Sequence, residues 1–498
     1  MNRLIIFCFL VGCYSVSAQD FQTPLQKNGF TRPSSYEELS EFVRQADAGS
    51  GLLTVEAAGN SVRGRNIYAM KFSSSVFGVD RSKIRVFLFA QQHGNEHSGK
   101  EGALLLAAEL LKPENRYLFD RIDLLLVPQV NPDGSEESQR RNGNEADLNR
   151  NHLILTEPET ITLHRLFDQY HFDVTMDVHE YYPYGETWKE YGYRNNSDEL
   201  LGTATNINVS EKLRRLSNES FLPFMKEFFS GRNVSNFIYS PGGPPEIDYI
   251  RHSTFDINDG RQSFAILNTL SFIQEGINGR DLFTDNIRRR AEGQMTGMRG
   301  LLKYSYDNYR TIKKTVAAER KKLIRGVAGK TVSIQNEHVG DGRTLPLPLW
   351  SYSTGNDTVV NVKDYRPVVR SLYDVRKPCG YMIPAELGDV TAWIARHALV
   401  TENFAGGDRY RIEQYDVSSI DSTDFEGDMI VNPEVTLREH DAGIKYSDYI
   451  YVPTSQLKGN MIVIALEPKS MLGLVTYPGF ANLLRANDKF PILRVTRK

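Results

Sequence analysis

The chain has 498 residues, 40% hydrophobic and 24% charged, with a formal net charge of −3. That composition excludes a disordered chain and is long enough for two or three domains with large cores. The near-neutral balance offers no electrostatic case for nucleic acid or for an anionic membrane surface.

The start, Met1-Asn-Arg followed by the apolar run Leu4 to Val11, has the positive and apolar regions of a signal peptide. Val16-Ser-Ala18 supplies small residues for cleavage before Gln19, so residues 1–18 are expected to be removed on export to the periplasm or the outside. Leu10-Val-Gly-Cys13 also fits a lipoprotein-type cleavage site, which would leave Cys13 acylated. No later run approaches the length of a membrane-spanning helix. Cys8 and Cys13 fall in the leader, so Cys379 remains without a disulfide partner and reads as a small buried residue rather than a nucleophile.

Residues 34–48 read as a capped amphipathic helix, and Leu52 to Ala58 and Asn66 to Phe72 as a strand pair. Three strongly apolar strands follow at 84–91, 122–130 and 172–178, with a helix pattern at 99–112 between the first two. Residues 263–275 hold another such strand, and 284–325 read as one or two charged helices. Apolar strands alternating with helices predict an α/β/α sandwich around a mixed, mostly buried central sheet. After residue 326 short β runs separated by Gly, Pro and Asp predict a smaller all-β domain. The expected division is a leader at 1–18, a catalytic domain at 19–325 and a β-rich domain of unassigned role at 326–498.

His93-Gly-Asn-Glu96 leaves the end of one apolar strand and His179 ends another. Two imidazoles and a carboxylate fill three positions of a catalytic zinc and leave the fourth open. Alone the pattern is weak, since about half an H-x-x-E is expected by chance in a chain of this size and composition. Asn131-Pro-Asp-Gly134 marks a turn after a strand, and Gln139-Arg-Arg-Asn142 and Asp147-Leu-Asn-Arg-Asn151 cluster Arg and Asn suited to carboxylate binding.

Together these motifs resemble the zinc metallocarboxypeptidases of the carboxypeptidase A/B/E family over residues 30–325. The order H-x-x-E, N-P-D-G, R-x-N, D-x-N-R-N and D-x-H is matched, as are Gly59 to Arg65, Tyr182-Pro-Tyr-Gly185 and Ile238-Tyr-Ser-Pro-Gly-Gly243. The likeness is to an exported, bacterial-type member with an extra C-terminal β-rich domain. The resemblance implies one Zn2+ per chain on His93, Glu96 and His179, and Glu275 as general base. It implies Arg140 as the oxyanion residue, with Arg141 a register-shifted competitor. Asn149 and Arg150 would grip the free C-terminal carboxylate of a peptide substrate, Tyr239 would cap it, and Asp147 would orient His93. The segment before the first strand is too short for the globular pro-domain of the digestive enzymes. The C-terminal region is about twice the transthyretin-like domain of the regulatory ones, with packing or tethering its default role. In the digestive enzymes the side-chain pocket is set about 15 residues before the catalytic glutamate; here that falls at Gly260, between Asp259 and Arg261.

Two alternatives share these residues. His93-Gly-Asn-Glu-His97 also fits the H-x-x-E-H of an inverzincin-type endopeptidase, with His97 a ligand; otherwise His97 is expected on a helix surface or pocket rim. A zinc amidase or deacylase on small acyl amino acids would use the same carboxylate clamp.

Overall fold

Nearly unbroken apolar runs at Ile84–Ala90, Ile122–Val127 and Val174–Tyr181 become strands buried along almost their whole length. In the computed structural model, which describes residues 21–280, 285–325, 330–425, 427–440 and 443–498, they form the middle of a large sheet. The expected leader at residues 1–18, with Cys13, lies outside the described residues.

The first ten strands in chain order are β1 (Leu53–Asn60), β2 (Asn66–Phe72), β3 (Ile84–Ala90), β4 (Ile122–Val127), β5 (Val174–Tyr181), β6 (Tyr193–Arg194), β7 (Glu199–Thr203), β8 (Asn236–Ile238), β9 (Ile250–Arg251) and β10 (Leu270–Ile277). Eight of them form one mixed sheet in the order β1-β2-β4-β3-β5-β10-β7-β8. The central neighbours β4, β3, β5 and β10 run parallel, so their carboxyl ends share one edge. From β3 the chain passes to β4 on one side and then returns to β5 on the other. That reversal opens a crevice at the carboxyl edge, where open α/β sheets place their ligands.

Strand alternation sorts the side chains between the two faces. On β5, Asp177 and His179 share a face with Ile273 and Glu275 of β10, whose Glu275 lies opposite His179. The helix Gly260–Ala265 covers this face, with Phe264 stacked 4.6 Å from Phe167 of the helix Pro158–Tyr170. The other face carries the helix His97–Leu110 and the 38-residue helix Ile287–Ile324, whose Arg290 pairs with Glu180 at 2.8 Å. Helices on both faces make the expected sandwich. The Tyr36–Ala48 helix starts as its sequence demands, with Ser35 and Glu38 closing a capping box. Residues 263–275, read as holding a strand, do so from Leu270, where β10 begins after the short helix Gly260–Ala265.

The C-terminal region is mainly antiparallel β, with Tyr410–Phe425 paired to Asp428–Glu439 and to Leu493–Arg497. It also carries the helices Gly388–Arg396 and Gly459–Leu466. Its apolar side chains join those of the central sheet in one continuous core. Trp393, fully buried, donates to the Leu153 carbonyl at 2.8 Å. Two strand additions reach back to the crevice: Leu345–Ser351 takes up β6, and Tyr365–Arg366 pairs with β9. The first joins the segment between β5 and β7, and the second joins the segment that follows Tyr239.

Candidate metal centre and active site

His93 and Glu96 sit in a single turn between β3 and the helix that starts at His97, rather than within that helix. Gly94 permits the turn: a Cβ there would lie 2.1 Å from the Gly134 carbonyl carbon, so the His-Gly-Asn-Glu turn packs directly on the Asn-Pro-Asp-Gly turn. Asp133 of that second turn accepts from Ser61 at 2.9 Å and Arg65 at 2.6 Å, fastening the early hairpin beneath.

The three expected metal ligands converge. His93 Nδ1 lies 2.7 Å from Glu96 Oε1, His179 Nδ1 lies 2.9 Å from Glu96 Oε2, and the two Nδ1 atoms are 3.2 Å apart. All three residues are buried. Donors around a tetrahedral zinc with bonds of about 2.0–2.1 Å stand roughly 3.3 Å apart, so two imidazoles and a carboxylate at these spacings fit that ion. Burial opposes ionisation of Glu96, yet His93 and His179 outweigh it and hold the carboxyl well below its usual range.

Each imidazole is held from behind. His93 Nε2 lies 3.2 Å from Asp147, the orienting partner expected for it. His179 Nε2 lies 2.9 Å from Asp177, a fully buried carboxylate that also accepts from Gln92 at 2.8 Å. The sequence reading gave Asp177 no role; the signal was its place two residues before His179, hence on the same strand face. Gln294 of the long helix donates to the His179 carbonyl at 2.6 Å, fixing the ligand's backbone from the opposite face. Such partners set ring orientation and tautomer.

His97 does not join the donors. It is buried rather than at a surface or rim, its Nδ1 lies 3.2 Å from Gln91, and burial beside Lys100 and Arg290 pushes it down to about 2. His97 is the first residue of the helix, and its ring turns to Gln91 instead of to the donors.

Glu275 stands near the carboxyl end of β10, directly beside His179 in register and only 8% exposed. Burial pushes its carboxyl up to about 7, against the pull of His179, a value suited to taking and returning protons near neutrality. Arg140 reaches the centre: its Nε donates to Asp147 at 3.0 Å and its Nη1 lies 3.2 Å from His93 Nδ1. Arg141 points away to the Glu145 carbonyl at 2.8 Å. Asn149 lies against the site, its amide nitrogen 3.4 Å from His179 Nε2 and its oxygen accepting from the Gly260 backbone at 2.8 Å. Arg150 follows on the same short turn; burial pulls its pKa down, but Asp147, Asp256 and Asp259 more than offset that. Tyr239 follows β8, and burial, then nearby Glu275, raises its hydroxyl above the usual range. Cys379 is part-buried in the C-terminal region and takes no part in this site.

Residues 39–243 match the family described as zinc carboxypeptidase. The chain is similar to Carboxypeptidase 2 of Trichophyton tonsurans, 23% identical over 489 residues, which covers 94% of this chain and 88% of that protein. It is also similar to Carboxypeptidase D of Mus musculus, 24% identical over 266 residues, covering 47% of this chain and 19% of that one. Among solved structures, a metallo-carboxypeptidase from Burkholderia cenocepacia superposes with a TM-score of 0.44 at 18% identity, over 56% of this chain and 70% of that one. With its donor trio assembled and residues 39–243 matched, the chain carries a zinc carboxypeptidase domain.

Proposed function

We propose that this metallocarboxypeptidase releases single residues from peptides bearing a free C-terminal carboxylate, using one zinc ion per chain. The observation that carries the reading is the meeting, at one sheet edge, of the donor trio, Glu275 and the Asn149–Arg150 pair. His93, Glu96 and His179 would hold the metal, which when bound activates water and polarises the scissile carbonyl. Asn149 and Arg150 bind the terminal carboxylate and so fix which bond is cut. Glu275 takes the proton from the attacking water and returns it to the leaving amine. Arg140 donates hydrogen bonds to the oxyanion as charge develops there. Asp147 and Asp177 keep the imidazoles aimed, and Tyr239 closes over the bound residue, excluding water.

A panel of N-acylated peptides with varied C-terminal residues tests this directly. Single residues should be released, release should stop on dialysis against a chelator, and stoichiometric Zn2+ should restore it. Cleavage that survives complete metal removal would refute the mechanism, and internal cleavage alone would revive an endopeptidase. Arg140→Met should lower kcat about 100- to 1000-fold, the usual loss for an oxyanion donor. Arg141→Met should change it by no more than a few-fold; equal losses from both variants would remove Arg140 from this role.

The leader-like start supports export, with the mature chain beginning at Gln19. Mass spectrometry of the exported protein distinguishes that end from an acylated Cys13.

A further inference from the structure

A peptide held by Asn149–Arg150 at its carboxylate and by the metal centre at its scissile bond must turn its last side chain into the protein. Beside Glu275, β7 pairs with β10 and residues 253–261 pack against them. Ile273 precedes Glu275 by two residues on β10, so it shares the general base's face about 7 Å away. Opposite Ile273 stands Gly202, where a Cβ would lie 2.6 Å from Ile273 Cγ2 and 2.8 Å from Arg261 Nη1. The missing side chain at Gly202 makes room for a guanidinium there.

That guanidinium is fixed and incompletely paired. The Arg261 side chain is 0% exposed. Its Nη2 donates to Asp259 at 2.9 Å and to Thr254, its Nη1 donates to Ser253, and its Nε has no hydrogen-bond partner among the described residues. Asp259 is shared: its other oxygen caps the following helix at the Gln262 amide. The next residue toward the clamp, Gly260, donates its backbone N–H to Asn149. Tyr239 roofs the group, its ring centre 5.9 Å from the guanidinium carbon. The other charges around this roof are Glu275 and Arg251, with Asp256 and Asp259 on the side of Arg150.

We propose that Arg261 reads the side chain of the C-terminal residue, so that the enzyme prefers glutamate or aspartate there. This rests on the carboxypeptidase reading above. A carboxylate that enters as Tyr239 moves aside meets a fixed guanidinium whose Nε–H has no acceptor among the described residues. A lysine or arginine side chain would bring a like charge against a buried cation, and an aliphatic one would leave the Nε–H unpaired.

The test compares kcat/KM for N-acylated dipeptides ending in Glu, Gln, Leu and Lys, on the zinc-loaded full chain. Glu should exceed its isostere Gln by about 100-fold, and Lys should be the poorest. Arg261→Met should lower the Glu-to-Leu ratio by about 100-fold. Faster release of Leu or Lys than of Glu by the unaltered enzyme overturns the inference, and so does an equal loss on Glu and Leu in Arg261→Met. If that variant melts at a much lower temperature, the unaltered enzyme's panel alone decides. Failure to release any residue from any peptide sinks the carboxypeptidase reading itself, whereas release of Leu or Lys without Glu sinks only the role of Arg261.

Discussion

His179→Ala should lose its zinc and its peptidase activity together, while His97→Ala should keep the metal at full stoichiometry. His179 supplies one of three donors, and its Nδ1 lies 2.9 Å from Glu96 and 3.2 Å from His93 Nδ1. Removing even an outer hydrogen-bond partner of a ligand costs about 10–100-fold in metal affinity, and removing a ligand costs more. The alanine also strips a partner from two buried carboxylates, Glu96 and Asp177, so a loss of stability accompanies it. His179→Gln keeps a polar side chain there and should still bind zinc far more weakly, which separates ligand loss from unfolding. Metal content by elemental analysis, with a melting curve for each variant, decides the matter. Zinc lost from His97→Ala and retained in His179→Ala would establish the H-x-x-E-H arrangement instead.

Glu275→Gln should leave zinc in place and lower kcat/KM by about 100- to 10,000-fold, the range that a positioned acid–base group contributes. The exchange conserves shape at a buried position where burial already favours the neutral carboxyl, so folding should be little affected. Binding of an uncleaved peptide analogue should change little, because the proposed carboxylate grip lies on Asn149 and Arg150. Activity within 10-fold of the unaltered enzyme would assign the proton transfer to another group. Zinc lost along with activity would instead make Glu275 a ligand.

Local spacing made part of this site readable from the chain. His93 and Glu96 fall within one turn, so three residues of separation suffice to bring both to one ion. His179 and Glu275 were found through the order of the surrounding motifs, and the parallel β3, β5 and β10 explain why distant strand ends meet. Asp177 went without a role because an acid inside an apolar strand shows nothing of its partner until the His179 ring is placed. Arg140 and Arg141 stayed open because adjacent loop residues face different ways, and only the folded loop turns one to His93 and the other to Glu145. The C-terminal region read as β-rich, but its strand additions to β6 and β9 depend on pairings across more than a hundred residues.

By itself the sequence determined the sandwich of helices on a buried sheet and the close spacing of His93 and Glu96. Those features follow from apolar periodicity and short-range spacing, which the chain carries locally. The tertiary structure alone decided which way Asp259, Gly260 and Arg261 face. Counting from Glu275 reaches Gly260, but successive residues entering a helix diverge by about 100°, and a register of one residue exchanges backbone, carboxylate and guanidinium. Packing fixes the register, with the Gly260 amide on Asn149 and the Arg261 guanidinium beside Gly202.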